Sequence, residues 1–575
     1  MSDSKHTNLI CIIITIAMVV FLVVLLVFKG TSTASETTED DSELSEQIVI
    51  FMNENWQDTG TEINLSENSS YSSNDDIVLA KAGTYILSGE LEAGHQILVN
   101  ADAADIHIVL NGVTIEDGEA SPIEIKSADA VLITLADGTT NTISATLAED
   151  SETTLAKAAI FSKADLYFNG TGSLTINSEA DAIQSKEDLV FIDGTYNITT
   201  GDGASEESMS QGEGMQGGGG FGMGGGKNPQ RSETPSMPSG DSSTGSDSEQ
   251  PSMPSGEAPS MPDGNSSGDS DGNKPSMPGN SDGNRPDMKG GNQSDESESE
   301  SQETNSSDDS VSLKGLKAAD KLWIIDGTFT ISTEDDAVHS DADVIIDSGT
   351  LTIKSSDDGI HGDSSVTINN GEITIALSYE GIEGTNITVN DGTIDVTASD
   401  DGFNASNGDG SMGFGLSGSN DDTLTINGGT IHVDADGDGL DSNGDEIING
   451  GTIYVDGPTN SGNGALDSGS ESGGVLLINK GTIVALGASG MAETFSSESE
   501  QTSISSSFDQ TFEAGDTLTI TDSAGNIIFE YEIQKSGNHV VFSSAELVDG
   551  ETYEITVSDE TKEVTAGAEE EHKMR

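Results

Sequence analysis

The sequence predicts an all-β chain, a parallel β-helix that stacks coils of about 22 residues as a solenoid. Three observations predict it. A Gly-Thr unit recurs in one register, apolar residues alternate on both sides of it, and no apolar run with a 3.6-residue period interrupts the pattern.

The register passes through Ser173, Thr195, Thr328, Thr350, Glu372, Thr393, Thr430, Thr452 and Thr482. Thr328 to Thr350, Thr350 to Glu372 and Thr430 to Thr452 are each 22 residues, and Glu372 to Thr393 is 21. The clearest copy is Leu424-Thr-Ile-Asn-Gly-Gly-Thr-Ile-His-Val433. Alternation buries one face of each short strand, and one unit alone cannot cover that face. Stacked copies cover it at a spacing of about 4.8 Å. A second column precedes each Gly-Thr: Asp347, Asn369, Asn390, Asn427, Asn449 and Asn479. Stacked amides can bond from coil to coil, although Ile192 and Ile325 hold the position in earlier copies.

The organisation follows in chain order. Residues 1–30 are an N-terminal membrane anchor, because Leu9–Phe28 is apolar apart from Cys11 and Thr15 and long enough to cross a bilayer. Lys5 before it and the acidic chain after it favour a single-pass protein with an extracellular C-terminal domain. A cleaved signal peptide and secretion are the other reading, with Ser32-Thr-Ala34 as a cleavage-like site. Residues 31–74 read as an acidic stalk, and 75–202 as the first coils. Residues 203–311 carry four Pro-Ser-Met-Pro copies, starting at Pro235, Pro251, Pro259 and Pro275, and are expected to be disordered. The segment Ile183–Thr195 aligns with Leu316–Thr328, so this insertion is a loop thrown out of one coil. Residues 312–507 resume the coils with acidic turns, and Asn407–Asn420 is a shorter Gly-rich insertion. Residues 508–560 read as hairpin strands capping the solenoid, and 561–575 as a disordered tail.

Composition narrows function. With 102 acidic and 21 basic residues the formal charge is −81, which excludes nucleic acid as a natural partner. A lone cysteine excludes an intrachain disulfide, leaving repeat packing and bound metal as sources of stability.

The acids recur at fixed places. Asp181, Asp336, Asp358, Glu380, Asp401 and Asp438 lie two residues before a buried apolar residue, and Asp335, Asp357 and Asp400 extend three of these turns. His339, His361, Glu383, Asn404, Asp441 and Asp467 follow the apolar residue. Two carboxylates about 5 Å apart repel by roughly 3 kcal/mol at an effective dielectric of 20. Calcium, which takes six to eight oxygens in irregular geometry, relieves this; a tight solvated Asp-Asp-Gly turn is the plainer reading. The stretch Asp434-Ala-Asp436-Gly-Asp438-Gly439, continuing to Asp445, imitates a helix-flanked calcium loop, but Leu440 sits in the core register. The candidate metal residues are therefore Asp335, Asp336, Asp357, Asp358, Asp400, Asp401, Asp436, Asp438 and Asp441.

Catalytic signals are weak, and no catalytic residue is assigned. A lyase needs a base, for which only Lys314, Lys317 and Lys354 are available in the coils. Trp323, on the outward side of its strand, either stacks on a sugar or packs beneath a loop.

Several segments resemble the bacterial extracellular carbohydrate-binding β-helix family. The likeness runs through Ala82–Gly89, Ile108–Ile115 and Ile133–Thr142, and is clearest in Ser332–Ser340 and Ser355–Gly362. It implies a right-handed β-helix with bound calcium, similar in fold to calcium-dependent pectate lyases, and a ligand among cellulose or acidic polysaccharides such as polygalacturonate. The family's calcium pattern maps onto Asp335, Asp336, Asp357, Asp358, Asp400 and Asp401, whereas Tyr379-Glu380 and Asn463-Gly464 depart from it. The expected function is calcium-dependent, non-catalytic binding of an acidic or cellulosic polysaccharide. A pectate-type lyase and a structural surface adhesin without a sugar ligand are the alternatives.

Overall fold

A computed structural model describes residues 46–567 apart from 54, 68–70, 74–75, 118–119, 147–156, 206–311, 408–421 and 471–472. The chain is nearly all β. Among the described residues no helix is long and apolar enough to cross a membrane. The expected span Leu9–Phe28, most of the Pro-Ser-Met-Pro insertion and the Gly-rich insertion lie outside them.

Each repeat contributes three short strands, and every third strand pairs in parallel. One ladder runs through Thr195–Thr200, Thr328–Thr333, Thr350–Ser355, Glu372–Leu377 and Thr393–Ala398 to Thr482–Gly487. The Gly-Thr register is its pairing register: Thr328 lies beside Thr350, Glu372 beside Thr393, and Thr430 beside Thr452. The 21-residue repeat is absorbed at an irregularity in the neighbouring strand pair, where Gly362 faces Gly384 but Ser365 faces Asn386. A second ladder holds Lys321–Ile324, Asp343–Ile346, Thr423–Ile426 and Asp445–Ile448. A third, directly after the acidic turns, holds Leu316–Ala318, Val338–Ser340, Phe403–Ala405, Leu440–Ser442 and Leu466–Ser468. Parallel strands cannot be joined by a tight hairpin; here the other two strands of each repeat make the crossover.

The inward positions form one continuous apolar core of Ile, Leu, Val and Phe. Its aromatic section stacks Phe168 on Phe191 with centroids 5.0 Å apart, and Tyr196 on Phe329 at 4.8 Å. Strands on either side of residues 206–311 pair directly: Ile183 lies beside Leu316, and Thr195 beside Thr328.

The amide column is continuous. Asn369 donates from Nδ2 to Asp347 Oδ1 at 2.7 Å, and Asn390, Asn427, Asn449 and Asn479 each donate to the preceding Asn Oδ1 at 2.8–2.9 Å. Asp347 closes the column, since its other oxygen accepts the Trp323 indole N–H at 2.8 Å.

Three readings of the sequence need correction at the edges. Residues 46–64, assigned to the stalk, are folded. Helix Glu46–Asn53 buries Ile48 and Phe51 against Leu132, Tyr167 and Val190, and Thr61–Asn64 pairs with Gly83–Glu90. The apolar run Ile48–Met52 overrides the acidic composition around it. Trp323 packs half-buried against this same cluster, so it does not stand free as a sugar platform; the insertion loop lies outside the described residues. Within the expected tail, Glu560–Thr565 forms an antiparallel edge strand beside Thr552–Val557, where Val564 packs on the C-terminal core. In that C-terminal region Gly537–Ser543 pairs antiparallel with Thr482–Gly487, ending the parallel ladder, and Thr517–Asp522, Ile527–Glu532 and Thr552–Val557 form a separate sheet.

Two tests follow from this packing. Deleting residues 206–311 behind a short linker should preserve a single cooperative melting transition, because the flanking strands already pair; a broad or multiple transition would refute it. Phe191→Ala, which removes a fully buried ring from the aromatic stack, should cost about 3–5 kcal/mol in denaturant unfolding.

Candidate functional site

The acidic turns precede the third ladder, so stacking carries their carboxylates into one column. Each turn is pinned by its neighbour. The Asp358 N–H donates to Asp336 Oδ1 at 3.2 Å, and the Asp438 N–H to Asp401 Oδ1 at 2.6 Å. The column divides into two sections that neutralise charge differently.

In the first section the chain supplies its own cationic and nitrogen groups. Lys314 Nζ lies 2.7 Å from Asp335 Oδ1 and 2.5 Å from Asp336 Oδ2. Burial works against its ammonium, but Asp336 and Asp335 overcome it and hold the pKa above the usual lysine range. His339 and His361 face each other on adjacent strands with ring centroids 4.9 Å apart. His361 Nδ1 is 3.2 Å from Asp358 Oδ2, 3.4 Å from Glu383 Oε2 and 3.7 Å from Asp336 Oδ2. Burial opposes its protonation, yet Asp336, Asp358 and Glu383 raise its pKa to about 11. Asp335, Asp336 and Asp357 present oxygens close enough to share one ion, as do Asp358 and Glu383 with His361. Asp357 is pushed up to about 7 by burial and by Asp358, Asp336 and Asp335.

In the second section no such help arrives. Asp401 is raised to about 8 by burial and by the charges of Asp438 and Asp400. Asp438 is raised to about 6, mainly by burial, and Asp441 well above the carboxylate range by burial, Asp401, Asp438 and Asp467. Among the described residues, no lysine, arginine or histidine pairs with Asp401, Asp438 or Asp441. The turn is also closed: a Cβ on Gly437 would lie 2.4 Å from Asp401 Oδ1 and 2.5 Å from Asp400 Oδ1. Between the sections, burial and neighbouring acids push Glu380 to about 10 and Glu383 to about 8, although Asn404 donates to Glu380 at 2.8 Å.

The nine candidate metal residues therefore separate. Asp335, Asp336, Asp357 and Asp358 belong to the first section, and Asp400, Asp401, Asp438 and Asp441 to the second. Asp436 stands apart from both sections: it pairs with Lys535 Nζ at 2.6 Å, beside Asp434 at 2.7 Å. That partner comes from the C-terminal region, which no loop motif reveals. Of the proposed bases, Lys314 is engaged by two carboxylates and held protonated.

Sequence reasoning missed two features. Glu446 occupies an inward position between Leu424 and Leu476, and neither carboxylate oxygen has a hydrogen-bond partner. Burial and Glu493, Asp441 and Asp467 raise its pKa strongly. Its alternation with Ile448 was the available signal. Asp341 and Asp363 hold the outer nitrogens of the histidines, at 3.0 Å from His339 Nε2 and 3.3 Å from His361 Nε2. The repeated His-x-Asp spacing could have shown them.

A family model described as a carbohydrate-binding domain-containing protein matches residues 73–226, 282–359 and 356–561. A protein of Acetivibrio thermocellus with the same description is 34% identical over 128 residues, 21% of this chain. The chain spans 44% of that relative's length. A solved polysaccharide lyase-like protein from C. thermocellum, a gadolinium derivative, aligns over 76% of this chain and 98% of its own at 16% identity. Its TM-score of 0.28 is too low to carry a fold assignment.

The raised carboxylates set a pH dependence. In an unfolded chain Asp401 and Asp438 titrate near 4. The stability they contribute as neutral groups is full below that pH and is lost as pH rises through about 6 and 8. Metal-free protein should melt at a lower temperature at pH 8.5 than at pH 5, and Asp401→Asn should reduce the difference. A melting temperature that climbs over this interval would contradict the assignment.

Proposed function

Because the chain belongs to the carbohydrate-binding domain-containing family, we propose that it binds an acidic polysaccharide through calcium and does not cleave it. The repeating parallel ladders support reading the scaffold as a right-handed parallel β-helix, held outside the cytoplasm by the N-terminal apolar run. The observation that carries the calcium reading is the second section of the acidic column. Asp400 and Asp438 act on Asp401, and Asp401 and Asp438 on Asp441, with no compensating cation among the described residues, and their donors are all oxygen. Oxygen donors in irregular geometry suit a hard divalent ion. The protein and a polyuronate are both strongly negative, so direct contact is repulsive. Calcium bound there supplies the positive charge that both sets of carboxylates lack. The protein's part is to hold four carboxylates at two neighbouring turns, with backbone N–H groups of Asp438 and Gly464 fixing two of them.

Binding without cleavage is supported by the state of Lys314. A lyase base must be able to take a proton at working pH. Lys314 is buried against two carboxylates that favour its charged form.

Full-length protein should retain polygalacturonate in calcium and release it in chelator. Asp401→Asn with Asp438→Asn should weaken binding by about tenfold or more, on the order of 1.4 kcal/mol. Absorbance of unsaturated products should stay flat. Binding indifferent to calcium would defeat the bridging reading and favour a neutral glucan. Sustained product release would make the protein a lyase.

A further inference from the structure

The first section of the column contains donors that calcium does not select. Imidazole nitrogen suits zinc and other borderline transition ions, which combine histidine with carboxylate. His339 Nδ1 faces Asp336 Oδ2 at 2.8 Å and has no other partner. The residue is only 7% exposed, so solvent does not serve that nitrogen. Its opposite nitrogen, Nε2, is bound to Asp341, which fixes the ring and aims Nδ1 into the column. His361 repeats the arrangement on the next strand: Nε2 faces Asp363, and Nδ1 faces Asp358, Glu383 and Asp336. A carboxylate on the outer imidazole nitrogen is the usual support of a metal-bound histidine.

We propose that Nδ1 of His339, Nδ1 of His361 and the Asp336 carboxylate form a site for a divalent transition ion of the zinc class, with Asp358 as the adjacent carboxylate. One ligand atom from each of Asp336, His339 and His361 already lies within 4.8 Å of the others. The charge balance accommodates a dication. Asp335, Asp336, Asp341, Asp357, Asp358, Asp363 and Glu383 surround the histidines; Lys314 pairs with Asp335 and Asp336, and the charges of Lys317 and Lys186 act on Asp341. Lys314 grips Asp335 and Asp336 from the turn before Leu316–Ala318 and holds the Asp336 carboxylate in place. Bound there, the ion clips two successive repeats, because Asp336 and His339 come from one turn and Asp358 and His361 from the next. This site takes Asp336 and Asp358 from the expected calcium pattern and uses none of Asp400, Asp401, Asp438 or Asp441, where calcium is proposed.

The test is cobalt titration of metal-stripped, full-length protein in excess calcium, followed by zinc competition. Wild type should develop visible cobalt absorption with nitrogen ligation, abolished by zinc. His339→Ala and His361→Ala should each weaken zinc binding by about tenfold or more. Asp401→Asn should leave it unchanged while weakening calcium binding. The wild-type spectrum stands even where a histidine variant fails to fold. Two outcomes overturn the proposal. One is a colourless wild type whose imidazoles remain protonated and indifferent to cobalt and zinc. The other is zinc affinity unaffected in both folded histidine variants.

Discussion

Successive strands in a sheet lie about 4.8 Å apart, and in a chain whose repeats pair in register that spacing multiplies every residue into a column. The chemistry of each residue type then decides whether its column stabilises or opposes the stack. Inward Ile, Leu and Val gain by losing water on all sides, as in the column Val338, Ile360, Ile382, Phe403 and Leu440. Amides gain because each Asn carries both a donor and an acceptor. Carboxylates lose, because each carries only acceptors and a charge that repeats in its neighbour.

The amide column shows how the sequence fits this constraint. Its bonds run in one direction, every Nδ2 donating towards Asp347. At that end the next residue in the column is Ile325, which has no side-chain acceptor for a further amide. An aspartate, needing only donors, completes the row and takes its second donor from Trp323. The substitution of Asp for Asn at Asp347 is thus an end cap, and the indole ties it to the apolar cluster under helix Glu46–Asn53.

The acidic column meets the same constraint with two arrangements. Around Asp336 and Asp358 the chain inserts a lysine and two histidines, and Asp336 is held well below its ordinary range despite burial. Around Asp401, Asp438 and Asp441 no basic side chain is inserted among the described residues, and burial with mutual repulsion drives the carboxyls upward. A protein can tolerate the second arrangement by protonation or with an external cation.

Much of this was legible from the sequence, because the information is local and periodic. The all-β character, the Gly-Thr register, the Asn column and the recurrence of Asp335–Asp336, Asp357–Asp358 and Asp400–Asp401 all follow from spacing, which in-register pairing converts directly into neighbourhood. What spacing could not supply was the identity of each carboxylate's partner. Lys535 reaches Asp436 from the C-terminal region, and Lys314 reaches Asp336 from the preceding repeat through the length of its side chain. Ile48 and Phe51 find their apolar face on strands more than eighty residues away. Glu446 becomes a buried acid because the alternation of its strand turns it inward between two leucines. The sequence by itself determined which residues form columns; only the tertiary structure decided which columns are neutralised, because charge compensation depends on distance in space and not on position along the chain.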